Sequence, residues 1–372
     1  MAGSAQTRPV PDSIRNLKPM TADIQPIGES ERERRREKAR RLMRENHIDA
    51  IVCEGGSSSY YFTGRRAASA EGMSLLTWPA RGEPQWITRE AAARVLRDGG
   101  AGTGRIGMEE RTRFLVVDAL RRALPQAELV GADPVSAGCR MIKSAAELAL
   151  MQRANEITIA AYRAAFAAMR EGMTQAEFSA NISAAYQALG VRGDAMAIFG
   201  KYTAYPHGSA TTQRLREGDM VLVDDGCEVE GYQSDVTRTI VFGKPTARQR
   251  QIWELERKAQ DAGFRAAKPG TPCESVDAAA RKVITDFGFG PDYKLPGLPH
   301  RTGHGIGLDG HEWTYLVRGN KTRLEPGMCF SDEPTVAIPG EFGVRLEDCM
   351  YITEDGARMF TRQSPAIDEP FG

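Results

Sequence analysis

The 372-residue chain carries 49 basic and 49 acidic side chains, a formal net charge of zero, with 41% hydrophobic and 26% charged residues. This is the balance of a globular protein; it argues against nucleic acid or an anionic membrane as a principal partner, and no run approaches the roughly 18 apolar residues of a spanning helix. The length exceeds what one ordinary core supports, so two domains are expected.

Residues 1–28 bear prolines without hydrophobic periodicity and read as an extended arm, lying on the surface or reaching a second subunit. The opening MAGSAQTRPVPDS has no hydrophobic signal core. Six cysteines (Cys53, Cys139, Cys227, Cys273, Cys329, Cys349) are scattered without a CxxC spacing, several in apolar runs that favour buried free thiols. Both features point to the cytoplasm; a periplasmic or secreted location follows only if a signal peptide has been removed. ESERERRREKARRLMREN is charged at helical spacing with glutamates among its arginines, which predicts a solvated helix rather than a nucleic-acid-binding run.

IDAIVCEG predicts a buried strand, and SLLTWPARGEPQWITR a hairpin turning at Arg81-Gly82-Glu83. RIGMEE, FLVVDALRRAL and AELVGAD add a strand, a helix and a strand, so residues 29–140 predict a small α/β domain. GTGRIG lacks the lysine of a phosphate loop and the helix context of a dinucleotide fingerprint.

The second domain, residues 141–372, predicts an α+β class with antiparallel sheet. Ser144 with Glu147, Thr174 with Glu177 and Thr246 with Gln249 form capping boxes that open three helices. The third ends at Lys268-Pro269-Gly270, and a fourth runs from Cys273 to about Phe287. GDMVLVDDG and GMCFSDEP open alike. Matching Met220 to Met328 suggests two related halves facing a shared site.

The chemistry concentrates in those halves. Asp224 and Asp235 are centred on a Val229-Glu230-Gly231 turn, and Glu333 and Glu347 on Pro339-Gly340-Glu341. If each segment is a β-hairpin, each pair faces across its strands with side chains about 5 Å apart. Like charges so placed are destabilising unless a cation lies between them. PHRTGHGIGLDGHEW, between the hairpins, carries three of the five histidines. Four carboxylates and one neutral imidazole sum to minus four, which two divalent metals neutralise. Asp225, beside Asp224, is expected on the opposite strand face in a structural role.

These residues resemble the creatinase, Xaa-Pro peptidase and methionine aminopeptidase family, with its pita-bread fold. The resemblance covers residues 141 to 368, and the smaller N-terminal unit looks like the creatinase-type domain of the prolidase and aminopeptidase P branch. By resemblance, Asp224, Asp235, His304, Glu333 and Glu347 fall on the family's metal-ligand positions, with Asp235 and Glu347 bridging two ions of Mn, Co, Fe or Zn. Arg345 would anchor the carboxylates. His207 falls on a substrate-facing position, and His300 and His311 flank the ligand histidine. The implied reaction is hydrolysis of an Xaa-Pro bond in a dipeptide or short peptide by a metal-bridging hydroxide. The scissile carbonyl is polarised by His300 or His311, and Glu333 carries the proton. The resemblance also implies a homodimer.

Three positions depart from the family pattern. Thr335 follows Glu333-Pro334 where glycine is usual. Thr314 and Tyr315 occupy the stretch after His-Glu-Trp where dipeptide-cleaving relatives often carry an arginine for the free carboxylate, leaving Arg318 as the nearest substitute. Gly310 precedes His311 in place of an aliphatic residue, which removes a wall from the pocket. A metal-dependent hydrolase or lyase of a small non-peptide metabolite, or a non-catalytic peptide-binding module, are the alternatives on the same scaffold. Retention of all five ligands counts against the module.

Overall fold

In the computed structural model, which describes residues 9–66 and 74–372, the leading segment starts with a one-turn helix, α1 (Asp12–Arg15). The first eight residues of the opening stretch lie outside the described residues. The chain divides into two compact units, Pro26–Ile142, and Lys143–Gly372 together with the leading segment up to Gln25. No helix among the described residues is long and apolar enough to cross a membrane.

The unit Pro26–Ile142 contains α2 (Glu29–Glu45), β1 (Ala50–Cys53), α3 (Ser57–Thr63), β2 (Ser74–Pro79), β3 (Gln85–Thr88), α4 (Arg89–Asp98), β4 (Arg105–Met108), α5 (Phe114–Ala123), β5 (Glu128–Gly131) and α6 (Asp133–Arg140). Its sheet runs β3-β2-β1-β4-β5, with β1, β4 and β5 parallel and β2–β3 the expected hairpin. The hairpin pairs Thr77 with Gln85, so the turn centres on Arg81 as its sequence predicts. The arginine-rich α2 is not wholly solvated. Arg35, Ala39 and Met43, spaced by four, form a buried stripe, and Arg35 stacks its guanidinium 4.0 Å from the centre of the Tyr61 ring.

The larger unit has two helix pairs, each followed by antiparallel strands. The first pair is α7 (Ala145–Phe166) and α8 (Gln175–Ala188); the second is α9 (Ala247–Ala266) and α10 (Cys273–Asp286). All three predicted capping boxes close: Glu147 N–H donates to Ser144 Oγ at 3.4 Å, Glu177 N–H to Thr174 Oγ1 at 3.1 Å, and Gln249 N–H to Thr246 Oγ1 at 3.2 Å. The described part of the expected arm lies against this unit. Ile14 is buried against α7 and α8, Ser13 Oγ donates to the Ala164 carbonyl at 2.8 Å, and Met20 N–H to that of Leu189 at 2.9 Å.

After α8 come β6 (Arg192–Gly193), β7 (Met196–Phe199), β8 (Met220–Asp224), β9 (Cys227–Val229), β10 (Tyr232–Gln233) and β11 (Arg238–Val241), in sheets β11-β8-β7 and β10-β9-β6. After α10 come β12 (Gly303–Gly305), β13 (Glu312–Leu316), β14 (Cys329–Asp332), β15 (Thr335–Ile338), β16 (Phe342–Arg345), β17 (Asp348–Thr353) and β18 (Gly356–Met359). They form a sheet β13-β12-β14-β17-β18 and the ribbon β15–β16. Ile252, Trp253, Ala280 and Ile284 of α9 and α10 share a core with Val336, Val344 and Leu346, which holds the ribbon rigid beneath the acids. All six cysteines are buried free thiols.

Candidate metal centre

The two acidic hairpins differ in how they present their carboxylates. In the second, Asp332 pairs with Asp348 and Thr335 with Arg345, and continuing that register sets Glu333 opposite Glu347 with Gly340 at the turn, as predicted. In the first, the turn is the two-residue Glu230-Gly231, both at positive φ (50° and 90°). That turn pairs Val229 with Tyr232, and β8–β11 keeps the register with Val223 opposite Arg238. Asp224 therefore faces Thr237, and Asp235 sits one pleat away. The ladder also kinks at Asp225, whose φ of 124° breaks the strand alternation. Contrary to expectation, Asp225 consequently lines the same cavity as Asp224. Burial, then the charges of Asp224 and Asp194, push its carboxyl up to about 7.

Donor atoms of Asp224, Asp235 and Glu347 all lie within 4.8 Å of one another, as do those of His304, Glu333 and Glu347. Glu347 is common to both sets. Thr237 Oγ1 lies 2.7 Å from Asp224 Oδ1 and 2.7 Å from Glu347 Oε2, joining the two strands that carry them. Buried Arg345 pairs with Asp224 and donates to the Pro206 carbonyl at 3.3 Å, so it also ties down the turn bearing His207. Burial, then the neighbouring carboxylates, raise Asp235 and Glu347 well above the usual range. Glu333 goes the other way. Burial raises it, but the hydrogen bond and charge of His304, with His300 and Arg345, hold it below its ordinary value.

His304 is 1% exposed, and its Nδ1 lies 3.1 Å from the Gly305 carbonyl, the geometry of a donating N–H. That sets Nε2 3.2 Å from Glu333 Oε1 and 3.5 Å from Asp235 Oδ2. The flanking glycines have a steric cause. A Cβ on Gly303 would stand 2.1 Å from the Ser331 carbonyl, and one on Gly305 2.4 Å from that of Glu312, so only glycine lets both neighbouring strands close on the histidine.

His207, His300 and His311 line the same cavity, of about 800 Å³, as the five candidate ligands and Arg345. His300 is fully engaged: Nδ1 lies 2.6 Å from the Arg301 carbonyl and Nε2 2.9 Å from the hydroxyl of Thr335, the residue that replaces the family glycine. His311 lies against His304 with ring centres 3.9 Å apart and planes tilted by 43°, and its Nδ1 accepts from Arg301 Nη2 at 3.1 Å. Burial, then the charges of His304 and Arg301, push His311 down to about 4. It is thus a neutral imidazole whose hydrogen is on Nε2. Gly310 faces open space, with nothing within 4 Å of where a Cβ would stand.

Arg318 is elsewhere. It pairs with Asp292 at 2.5 Å and lines a smaller cavity of about 480 Å³ along α10. The reason is its place past the end of β13, where Asp292 and the Tyr293 ring hold it away from the acids. Two residues that sequence reasoning passed over, Thr237 and Arg301, stand in the site instead.

The arrangement fits divalent cations. Carboxylate oxygens and an imidazole nitrogen converge, and the buried Glu347 Oε1 has no hydrogen-bond partner. An orphaned buried oxygen of this kind costs about 1–3 kcal/mol or more unless a cation or donor meets it. Hard oxygen donors with one imidazole suit first-row divalent ions.

The profile described as Metallopeptidase family M24 matches residues 149–354, more than half of the chain. The Xaa-Pro dipeptidase of Pyrococcus furiosus is 31% identical over 344 residues, covering 88% of this chain and 97% of that protein. The Xaa-Pro dipeptidase of Lactobacillus delbrueckii subsp. lactis is 40% identical over 234 residues, a match spanning 61% of this chain and 62% of that protein. Among solved structures, dipeptidase PepE from Mycobacterium ulcerans superposes with a TM-score of 0.82 at 30% identity, covering 91% of this chain and 97% of that one. The fold is the pita-bread architecture that the sequence predicts, and the protein belongs to metallopeptidase family M24.

Proposed function

We propose that the chain is a dinuclear metallopeptidase that hydrolyses the Xaa-Pro bond of dipeptides or short peptides. The observation that carries the reading is the pair of donor triads sharing Glu347. Asp224, Asp235 and Glu347 would hold one cation, and His304, Glu333 and Glu347 the other, with Asp235 available to bridge. Four carboxylates of total charge minus four are balanced by two divalent ions. The name of the Pyrococcus furiosus relative, matched over 97% of its length, supplies the substrate class.

Bound cations would supply the Lewis acidity that activates water and polarises a peptide carbonyl at neutral pH. The chain's own groups divide the remaining work. Glu333, held ionised, takes a proton and passes it to the leaving nitrogen, which in an Xaa-Pro bond is a secondary amine that must be protonated to depart. His311 is the hydrogen-bond donor to the scissile carbonyl, because its Nε2–H is free while both nitrogens of His300 are occupied. His300 and Thr335 brace each other. Arg345 holds Asp224 in place, and through the Pro206 carbonyl positions His207 at the cavity.

The test is a metal titration with a substrate panel. Reconstituted protein should hold close to two divalent ions per chain by elemental analysis and cleave Xaa-Pro dipeptides or Xaa-Pro-peptides over non-proline controls. A chelator should abolish turnover. Activity undiminished by complete metal removal refutes the metal reading. Two bound ions without cleavage of any proline peptide refute the substrate class and put a small non-peptide metabolite first.

A further inference from the structure

We infer that Arg301 is the residue that recognises the free carboxylate of a dipeptide substrate, a reading that rests on the proposed peptidase activity. Among the described residues two arginines line the metal cavity. Arg345 is committed to Asp224 and backbone carbonyls. Among the described residues Arg301 has no carboxylate partner, and Nη2, on His311, is its one hydrogen-bonded nitrogen, which leaves the outer N–H groups of the fork unused. A guanidinium kept in a cavity with an unused N–H is arranged for an acceptor that arrives from outside, and its planar fork matches a carboxylate better than any other ligand class.

Its position is set by the strand register. β12 pairs with β13 so that His304 faces Tyr315, and Arg301, just ahead of β12, lays its guanidinium 4.8 Å from the centre of the Tyr315 ring. Stacking on an aromatic face fixes the plane of the fork without consuming its N–H groups. The next contact leads to the reaction centre: Arg301 Nη2 to His311 Nδ1 at 3.1 Å, and His311 to His304 at 3.9 Å between rings. The carboxylate site is thus one side chain removed from the group that faces the scissile carbonyl. A substrate with a single residue after the scissile bond places its carboxylate at that remove. A longer peptide presents an uncharged amide there and leaves the cation unpaired, a costly arrangement in a partly desolvated cavity. Tyr315 serves as the platform, and the cation comes from the segment leading into the facing strand.

The experiment compares an Xaa-Pro dipeptide with the same dipeptide as its C-terminal amide, using metal-loaded wild type, Arg301→Met and Arg301→Lys, each with measured metal content. Wild type should prefer the free acid. Arg301→Met should raise KM for the acid and lower the acid-to-amide ratio of kcat/KM at least tenfold, with Arg301→Lys intermediate and metal content retained. Tyr315→Leu, which removes the platform, should shift the ratio in the same direction. Disturbance of His311 alone slows acid and amide alike, so an unchanged ratio in Arg301→Met and Arg301→Lys overturns the assignment even if activity falls. Should wild type cleave neither compound, the peptidase reading itself fails, and the inference with it.

Discussion

Replacing Thr237 by valine preserves the size and branching of the side chain and removes one hydroxyl. That hydroxyl lies 2.7 Å from both Asp224 Oδ1 and Glu347 Oε2, and accepts from Arg345 Nε at 3.3 Å. It carries a single proton, so it donates to one carboxylate at a time. The substitution therefore deletes about one hydrogen bond to a charged acceptor, worth roughly 1.5–3 kcal/mol. At about 1.4 kcal/mol per factor of ten, divalent-ion affinity should fall roughly 10- to 100-fold. The assay is competition with a chromophoric chelator at fixed pH, run on wild type, Thr237→Val and Thr237→Ser. The serine variant restores the hydroxyl and should stay near wild type, and activity of the valine variant should be recovered in part by excess metal. Affinity within twofold of wild type in Thr237→Val refutes the idea that this hydroxyl orients the ligands.

His311→Ala should lower kcat by roughly 100-fold or more. Thr335→Val, which strips the hydroxyl from His300 Nε2, should cost less than about tenfold on the same scale; the reverse order in steady-state kinetics transfers the donor role to His300. Glu333→Gln should keep the fold by circular dichroism and lose turnover, whereas His207→Ala should weaken catalysis with metal content intact by elemental analysis. Loss of metal in His207→Ala with activity in Glu333→Gln reverses those roles. Glu256 of α9 is fully buried with no cation paired to it among the described residues, and burial raises its pKa well above the ordinary value despite the Leu346 backbone N–H. The folded state thus binds its proton more tightly than the unfolded one, so this contribution to stability is full below the ordinary carboxyl range and is lost as pH rises through the folded value. Glu256→Gln removes that titration, so its melting temperature relative to wild type should climb with pH from about 5 upward; a constant difference across pH 5 to 9 sinks this account.

The capping boxes at Ser144, Thr174 and Thr246 were legible because a cap is decided by residues three apart. The Glu333–Glu347 hairpin was legible for a related reason: a regular ladder on either side of Gly340 makes symmetry in sequence equal to symmetry in space. The same arithmetic misplaced Asp235, since the turn falls between Glu230 and Gly231, one residue beyond the centre that the spacing of the two aspartates implies. Several N-terminal helices are not evident from sequence, α3 and α6 among them, being only seven and eight residues long.

By itself, the sequence determined the donor chemistry, the helix boundaries of the larger unit and the family, all of which depend on residue type and short spacing. Tertiary structure alone decided which groups surround the donors. Thr237 is an ordinary strand threonine until its backbone pairs with Glu347 and sets its hydroxyl between two carboxylates. Arg301 and Arg318 look equivalent as arginines beside a histidine motif, yet strand pairing lays one over Tyr315 in the metal cavity and Asp292 holds the other outside it. Side-chain reach across neighbouring strands depends on register and packing, which are fixed only once the strands have met.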